Sequence, residues 1–468
     1  MEFRTLRRDR WAIGLLILLG ALVAMAVIQG SRWQREQQEK LLTVQKSDDS
    51  RYNSLLQQHV RLDQSAQPPR VKDDPRITME IAQQGRIMTL PPLDTSVLAI
   101  GHADLLPQQV HVSAVGNESS LWNRLEIENP MNARSGRFDL AFVVVFLLPL
   151  FLLALTFHLL PGDREQGIIA LSLAQSARLT PVLLTRLAVR GFLVWAVVAG
   201  VALVTMSFMD VPWLGQQNLW RIGMWLVLVM GYTLFWLAIS FVANAYASNA
   251  ASSALMLATA WLAFVVLLPA LFNAVLVRVC APPSRVQLVS AMRTATRAAT
   301  MEASKTLAEY YQDHPELRPP GTASDEAQFI ASYFATRERT EKDVAPVLRA
   351  FVEQVDRQQE LVARWQYLLP PVLLDEAFGD LAGTGSIRHA HFRNQVRQSL
   401  SAWQEWFVPR LVQGSVLKVT EHDAIPKLVY TDESKGTLLR RVNSAVALLA
   451  VMTILFTGWG VARLRRVK

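Results

Sequence analysis

Six long apolar runs constrain this 468-residue chain more than any other feature of its sequence. A helix needs about 20 apolar residues to cross the roughly 30 Å hydrocarbon core of a bilayer, and each run is long enough. The runs cover Trp11 to Gly30, Asp139 to Leu160, Val182 to Met209, Ile222 to Ala243, Ser252 to Val277 and Val442 to Val461. The composition agrees, because 51% of the residues are hydrophobic and only 18% are charged. We therefore predict an α-helical polytopic membrane protein with six transmembrane helices.

The distribution of basic residues predicts the topology. The first ten residues hold four arginines, and the tail after Ala462 holds three arginines and a lysine. The loop from Asp210 to Leu219 has neither Lys nor Arg, whereas Arg164 and Arg178 follow the second run. Because short cytoplasmic loops are rich in Lys and Arg, we expect both termini to be cytoplasmic.

The first run has a second interpretation. A basic start, an apolar stretch and Ala24-Met25-Ala26 together resemble a secretory signal with its cleavage site. The apolar run continues through Ile28, however, and is closer to a full span than to the core of a signal peptide. We expect it to remain as the first membrane helix.

Two connections, 31–138 and 278–441, are long enough to be extracytoplasmic domains in this topology. We expect the first to be mixed α/β: a helical extension of the first span ends before Pro68-Pro69, and short strands and loops follow around Val97 to Ile100 and Val110 to Val115. We expect the second to be mainly helical, with Ser284 capping its first helix. Its predicted helices cover Arg285 to Asp313, Asp325 to Glu338, Asp343 to Leu368 and Ile387 to Gln413.

The predicted organisation follows from these assignments. The N-terminal segment and first span occupy 1–30, and the first outer domain occupies 31–138. Spans two to five occupy 139–277, the second outer domain 278–441, and the last span with its basic tail 442–468.

A polar segment follows the second run without a linker. Gly162 interrupts the helical register, and Asp163 is placed to cap a new helix with Gln166 three residues later. Ile168, Ile169, Leu171 and Leu173 give this helix an apolar side, and Pro181 ends it. The pattern predicts a short amphipathic helix over 162–180 at the membrane surface.

These residues carry a resemblance. The run ENPMNARSGRFDLAFVVVFLLPL with the DREQG segment resembles the permeases of the ABC-2 transporter superfamily, in particular the branch with a DUF3526 domain. Two stretches fit that branch, Leu90 to Pro107 (outer motif 1) and Leu369 to Phe392 (outer motif 2). The most specific parts are the GRFDL motif at Gly136 to Leu140 and the acidic pattern at Asp163, Glu165 and Gly167. The family usually has Glu at the position of Asp163.

The resemblance implies a permease subunit that moves an unknown substrate across the bacterial inner membrane. It implies a cytoplasmic ABC ATPase subunit and a second permease subunit, identical or related, as partners. A periplasmic protein is a further candidate partner, and membrane lipid surrounds the spans. No G-x-x-x-x-G-K-[ST] motif occurs, so the chain is not expected to be an enzyme. It should bind no cofactor directly, and ATP and Mg²⁺ would be held by the partner ATPase.

The resemblance also makes the helix at 162–180 a coupling helix that docks on the ATPase. Its candidate contact residues are Asp163, Arg164, Glu165, Gly167 and Arg178. Glu165 would be central, because its carboxylate can accept hydrogen bonds from the ATPase or from a neighbouring helix end. The alternative is an ordinary interfacial helix, whose glutamate only favours the positive end of its own helix.

Two further sets of residues are candidates for motion or assembly. Pro149 and Pro269 interrupt two spans and are candidate hinges. Ser248, Ser252 and Ser253 lie in an Ala- and Ser-rich stretch that allows close helix approach. This stretch is a candidate packing interface, either between subunits or within one.

Several function classes are disfavoured. His389 and His391 are two residues apart on a predicted helix and point to different faces, so no metal site is predicted. The chain has one cysteine, Cys280, and no basic run interleaved with aromatics, so neither a disulfide framework nor nucleic-acid binding is expected. The spans lack central acid or base residues, which argues against an ion-coupled carrier or a membrane enzyme. The competing function is a non-transporting sensor or mechanotransmission subunit driven by a separate ATPase.

Overall fold

The computed structural model describes residues 9–64, 75–101, 103, 106–117, 138–168, 179–280, 284–318 and 325–466. The secondary structure in these ranges is mostly helical, with one two-stranded sheet. The elements are α1 Arg10–Gln64, α2 Pro75–Gln84, β1 Arg86–Thr89, β2 Gln109–Val112, α3 Leu140–Glu165, α4 Leu179–Phe208, α5 Gln216–Tyr246, α6 Ala250–Val279, α7 Arg285–Met301, α8 Ala303–Asp313, α9 Asp325–Trp365, α10 Pro370–Ala382, α11 Ser386–Val412 and α12 Lys435–Arg465.

Six of these helices, α1, α3, α4, α5, α6 and α12, are long and apolar enough to cross a membrane. Each covers one of the six predicted spans to within one residue, so the prediction of six candidate spans is confirmed. α3 and α5 are the most buried of the six, and α6 is the least buried. The bundle is therefore built around α3 and α5.

The first candidate span continues beyond the bundle as one helix, as predicted. α1 has 55 residues, which corresponds to a length of about 80 Å. It passes close to a 3₁₀ helix at Asp94–Leu98, where a β-carbon on Gly30 would lie 2.8 Å from the Val97 carbonyl oxygen. Because it has no β-carbon, Gly30 therefore permits a close contact between α1 and outer motif 1.

The sheet and the 3₁₀ helix give the first outer segment its mixed structure. β1 pairs antiparallel with β2, with Arg86 opposite Val112. The predicted strand near Val110 is thus confirmed. The predicted strand at Val97 to Ile100 is wrong, because these residues are buried against the helix bundle as the end of the 3₁₀ helix and the turn after it.

The second outer segment is helical, as predicted, with different boundaries. Ser284 caps α7 by accepting a hydrogen bond from the Gln287 N–H. The segment predicted as one helix at Arg285 to Asp313 divides at Glu302 into α7 and α8. The two helices predicted after Asp325 are one continuous helix, α9. α10 was not predicted as a separate helix.

The described hydrophobic residues form three clusters. The largest joins the spans with the apolar face of α10 and with Val97 to Ala99. The second joins the outward part of α1 with α2, the sheet, α8, α9 and α11, so residues of both outer segments share it. The third lies between α7 and α9. We call the end of the bundle that carries these segments the domain end, and the opposite end, where α1 begins and α12 ends, the terminal end.

Candidate functional site

At the terminal end, α3 is interrupted by a turn that α5 holds in place. The chain is α-helical over Leu148–Thr156 and again over Pro161–Glu165. The buried Asn244 side chain of α5 bridges the break: its Oδ1 accepts from the Leu160 N–H at 3.1 Å, and its Nδ2 donates to the Thr156 carbonyl at 3.0 Å. The first of these bonds satisfies the Leu160 N–H, which the interruption leaves without a backbone acceptor. The break is therefore part of the packed bundle.

The short Pro161–Glu165 helix is tied to neighbouring spans. Arg186 of α4 donates a charge-assisted hydrogen bond to Asp163 at 2.5 Å, and Arg164 donates to the Ala247 carbonyl after α5 at 2.7 Å. The prediction that Asp163 caps a new helix is wrong, because the helix begins at Pro161 and Asp163 lies within its first turn. The Asp163 carboxylate pairs with Arg186 instead.

Glu165 contacts the start of the fifth span. Its Oε1 accepts a hydrogen bond from the backbone N–H of Ala250, the first residue of α6, at 2.9 Å. The first N–H groups of a helix lack intrahelical acceptors, and the helix dipole favours a carboxylate there. Glu165 is exposed, and its second oxygen accepts no hydrogen bond from the described residues. The Glu165 side chain therefore joins α3 to α6 and remains accessible at the surface of the terminal end.

The remainder of the predicted coupling segment is described only in part. Gly167 has φ +71°, a left-handed conformation that glycine adopts with little strain. Residues 169–178, Arg178 among them, lie outside the described residues. The helix predicted over 162–180 is thus described only at its start and where α4 begins, and docking on an ATPase stays a prediction.

The three serines predicted as a packing interface have different environments. Ser248 is exposed. Ser252 and Asn249 form a reciprocal capping box at the start of α6: Asn249 Oδ1 accepts from the Ser252 N–H at 2.7 Å, and Ser252 Oγ accepts from the Asn249 N–H at 3.2 Å. Ser253 is fully buried, and its hydroxyl has no hydrogen-bond partner within the described ranges. A contact between subunits here stays a prediction.

Both candidate hinge prolines follow a π-helical turn. The turns at Val143–Leu147 and Leu262–Leu267 come directly before the helical segments that contain Pro149 and Pro269. Proline lacks the N–H donor, and its ring collides with the carbonyl four residues earlier, so the helix widens locally. The two interruptions are present, whereas hinge motion stays a prediction.

In α3 the proline leaves a carbonyl that α5 satisfies. Pro149 has no N–H to donate to the Val145 oxygen. The buried Tyr232 hydroxyl donates to that oxygen at 2.9 Å. α5 therefore holds α3 at its π turn as well as at its terminal break.

At the domain end, three motifs of the resemblance meet: GRFDL, outer motif 1 and outer motif 2. Asp139 of the GRFDL motif caps α3 by accepting from the Phe142 N–H at 2.7 Å, and it also accepts from the Ile100 N–H of outer motif 1 at 2.8 Å. Thr384 of outer motif 2 donates to the adjacent Ala99 carbonyl at 2.9 Å. The motifs are distant in sequence but form one junction where the outer segments join the spans.

Outer motif 2 is fixed to the spans by two arginines. Arg441 of α12 donates two hydrogen bonds to the Asp380 carboxylate, at 2.8 and 3.1 Å, and a third to Glu433 at 2.7 Å. Arg221 of α5 donates to the backbone carbonyls of Asp380 and Leu381. Burial raises the pKa of the Asp380 carboxyl, and the hydrogen bonds and charge of Arg441 oppose this effect.

A buried arginine joins both outer motifs to the segment before α12. Arg388 donates to both oxygens of Asp432, at 2.8 and 2.9 Å. It also donates to the carbonyls of Gly383 at 3.0 Å and Pro91 at 3.1 Å. Burial would raise the pKa of the Asp432 carboxyl, but its hydrogen bonds and the Arg388 charge lower it.

The two histidines of outer motif 2 have separate partners. His389 Nε2 lies 3.0 Å from the Pro107 carbonyl, and burial lowers the pKa of this imidazole to about 4. His391 Nε2 lies 3.1 Å from the Thr431 carbonyl. Within the described ranges, no three His, Cys, Asp or Glu side chains converge as a metal site.

Sequence reasoning missed this charged junction. Arg221 and Arg441 lie in the second turns of apolar helices, near the acidic residue Asp380 of outer motif 2. The available signal was an arginine at the end of each span, together with an acidic residue in a motif on the same predicted side of the membrane.

The fold defines a helical protein of the membrane class, with six apolar helices that are long enough to cross a bilayer. Residues 285–431 match a family described as a domain of unknown function, DUF3526. The match begins with α7, contains all of outer motif 2 and ends before α12, so the DUF3526 part of the resemblance is confirmed. Searches of the curated proteins and of the solved structures found no match.

Proposed function

We propose that this chain is the permease subunit of an ABC-2-type transporter, which moves a substrate across the bacterial inner membrane with energy from a separate ATPase. The terminal-end segment of α3 carries the proposal. Its consecutive residues Asp163, Arg164 and Glu165 contact α4, the end of α5 and the start of α6. A force on this segment therefore acts on several spans at once.

In this proposal the terminal end faces the cytoplasm. The basic residues before α1 and after Ala462 support that orientation. Two ATPase subunits would bind ATP and Mg²⁺, and a second permease subunit, identical or related, would complete the path. The outer segments would then lie on the periplasmic side, where they could contact substrate or a periplasmic protein.

Coupling requires contacts that differ between two states of the complex. Glu165 is an exposed residue, and its second oxygen can accept a hydrogen bond from a backbone N–H or a basic side chain of the ATPase. Closure of the ATPase pair would move the segment, and the π turns before Pro149 and Pro269 would let α3 and α6 bend.

Co-purification tests the proposal. The tagged full chain would be purified from native membranes in several mild detergents, and the proteins retained would be identified. We expect an ATPase with a phosphate-binding loop, with less of it retained by Glu165→Ala and an unchanged amount by the neighbouring control Gln166→Ala. Absence of any such ATPase from the intact chain in all the detergents would contradict the proposal.

One observation favours a second candidate, a sensor or mechanotransmission subunit. α1 runs without a break from the bundle into the outer hydrophobic cluster, where Tyr52 is buried. Such a helix can transmit motion between the membrane and a soluble partner. In liposomes that contain the ATPase complex, ATP turnover stimulated by a soluble partner without movement of any candidate substrate would favour this function.

A further inference from the structure

An apolar groove lies at the domain end of α6, outside both sites described above. It is a cavity of about 310 Å³ between the last turns of α6 and the end of α9 with the 3₁₀ turn after it. Leu271, Phe272 and Val275 form one wall, and Leu361, Trp365 and Leu368 form the other. The Phe272 and Trp365 rings stack with their centres 6.5 Å apart. This volume is at the lower end of the roughly 300–1,000 Å³ typical of ligand pockets.

The lining has no polar side chain. All the residues around the groove are Leu, Phe, Val or Trp. Several remain open, and the exposed fractions are 61% for Leu271 and 60% for Leu368. Contact of this surface with water would be unfavourable at about 25 cal/mol per Å². The groove therefore suits a hydrocarbon occupant.

The position of the groove indicates the source of that hydrocarbon. Leu268–Val279, the second half of α6, has no buried residue, although α6 is apolar and long enough to span a bilayer. In a spanning helix this face lies against acyl chains. α9 covers part of it from the domain end, so a chain of the adjacent leaflet could enter between the two helices.

An arginine at the domain-end limit of the groove complements a phosphate. Arg278 lies in the last turn of α6 and follows Val275 by three residues, so it is on the helix face that borders the groove. It is exposed and forms no ion pair with a described residue. A basic residue above an apolar groove matches the order of groups in a phospholipid, in which the phosphate lies above the acyl chains.

We propose that this groove binds one phospholipid, with an acyl chain between α6 and α9 and the phosphate at Arg278. The proposal depends on membrane insertion of α6 and not on the ATPase. It can therefore fail or hold independently of the proposed transport function.

Native mass spectrometry of the delipidated full chain, titrated with dioleoyl phosphatidylglycerol in detergent, tests this site. We expect one lipid to bind more tightly than the rest. Val275→Trp should fill the groove and weaken this binding at least tenfold. Ile454→Trp is the matched control, because Ile454 is an exposed apolar residue of the span α12 and lies away from the groove.

The arginine is tested without a change in the apolar lining. Arg278→Gln should weaken the tight binding several-fold, whereas Arg349→Gln, which changes an exposed arginine elsewhere on α9, should not. The titration would be repeated with dioleoyl phosphatidylcholine, which has the same acyl chains and phosphate but a different headgroup. If the variants rank in the same order of affinity for this lipid, the arginine recognises the phosphate. Equal binding by the groove variants and their controls would overturn the proposal.

A second copy of the chain is the competing occupant. In a Cys280→Ser background, Leu271→Cys would be oxidised in native membranes. The proposal predicts a monomer band, since a lipid separates this residue from other copies. Efficient disulfide cross-linking between two copies would show that protein occupies the groove and would overturn the proposal.

Discussion

The His389 imidazole is held neutral between α11 and outer motif 1. Burial lowers its pKa to about 4, whereas an unfolded histidine titrates near about 6.5. Between these pH values the unfolded chain binds more protons, so the free energy of unfolding decreases as the pH falls from about 6.5 to about 4. Titration of His389 should lower the free energy of unfolding by about 3 kcal/mol over this pH range. Denaturant unfolding of the detergent-solubilised chain at several pH values measures it.

The variants separate this effect from that of other histidines. Burial also lowers the pKa of His59 and His422, which adds to the same pH dependence. The prediction is therefore a comparison of variants. His389→Gln should reduce the dependence of the free energy of unfolding on pH, whereas His391→Gln, two residues away, should leave this dependence unchanged. An identical slope in the wild type and His389→Gln would contradict the account.

Individual site residues were only partly predictable. Glu165 was expected to meet a neighbouring helix end or the ATPase, and the structure has it at the start of α6. Asp163 satisfied the local capping pattern, but that pattern did not include Arg186, which lies on the next span and provides a charged partner. Sequence patterns over a few residues can identify helix caps, whereas an ion pair between two helices depends on how those helices pack.

At the scale of elements, α3 depends on α5 for one backbone hydrogen bond. Tyr232→Phe would remove the hydroxyl that donates to the Val145 carbonyl at the π turn. Because an unpaired buried acceptor costs about 1–3 kcal/mol, we expect a loss of that size in the free energy of unfolding, measured in detergent. Tyr246→Phe is the control, since Tyr246 is exposed at the end of the same helix. Equal stability of the two variants would be inconsistent with this role.

The long elements were predictable and the short ones were not. Apolar runs identify spans because a bilayer requires about 20 apolar residues in each. Val97 to Ile100 has the composition of a strand but packs on the bundle at the end of a 3₁₀ helix. α9 is continuous through the polar stretch that suggested a break after Glu338, because α7 and α8 pack along it.

At the scale of the whole molecule, both outer segments share one hydrophobic cluster. Trp403 of α11 is fully buried in it. Trp403→Ala should lower the free energy of unfolding by about 3–5 kcal/mol, and both outer segments should unfold locally more often. Limited proteolysis of membranes, with mapping of the cut sites, should show new cleavage in 31–138 as well as in 278–441. Phe329→Ala, an exposed aromatic of α9, is the control, and cleavage confined to one segment in Trp403→Ala would argue against a shared core.

The sequence did not reveal how the outer segments attach to the bundle. α10 is apolar but too short to span a bilayer, and its pattern does not say which cluster it joins. It packs into the cluster of the spans, and Asp139, Asp380 and Arg388 fix the connections around it. Such contacts join residues that are between 39 and 297 positions apart, so local patterns cannot predict them.

The most direct test of the proposed function is the ATP turnover of the reconstituted complex in liposomes. We predict that Glu165→Ala lowers the turnover that depends on this chain about tenfold, equivalent to about 1.4 kcal/mol of coupling. Glu165→Gln should retain more activity, because its amide oxygen can still accept the Ala250 N–H, and Gln166→Ala should match the intact chain. Unchanged turnover in Glu165→Ala, with the ATPase still bound, would contradict the coupling role of this segment.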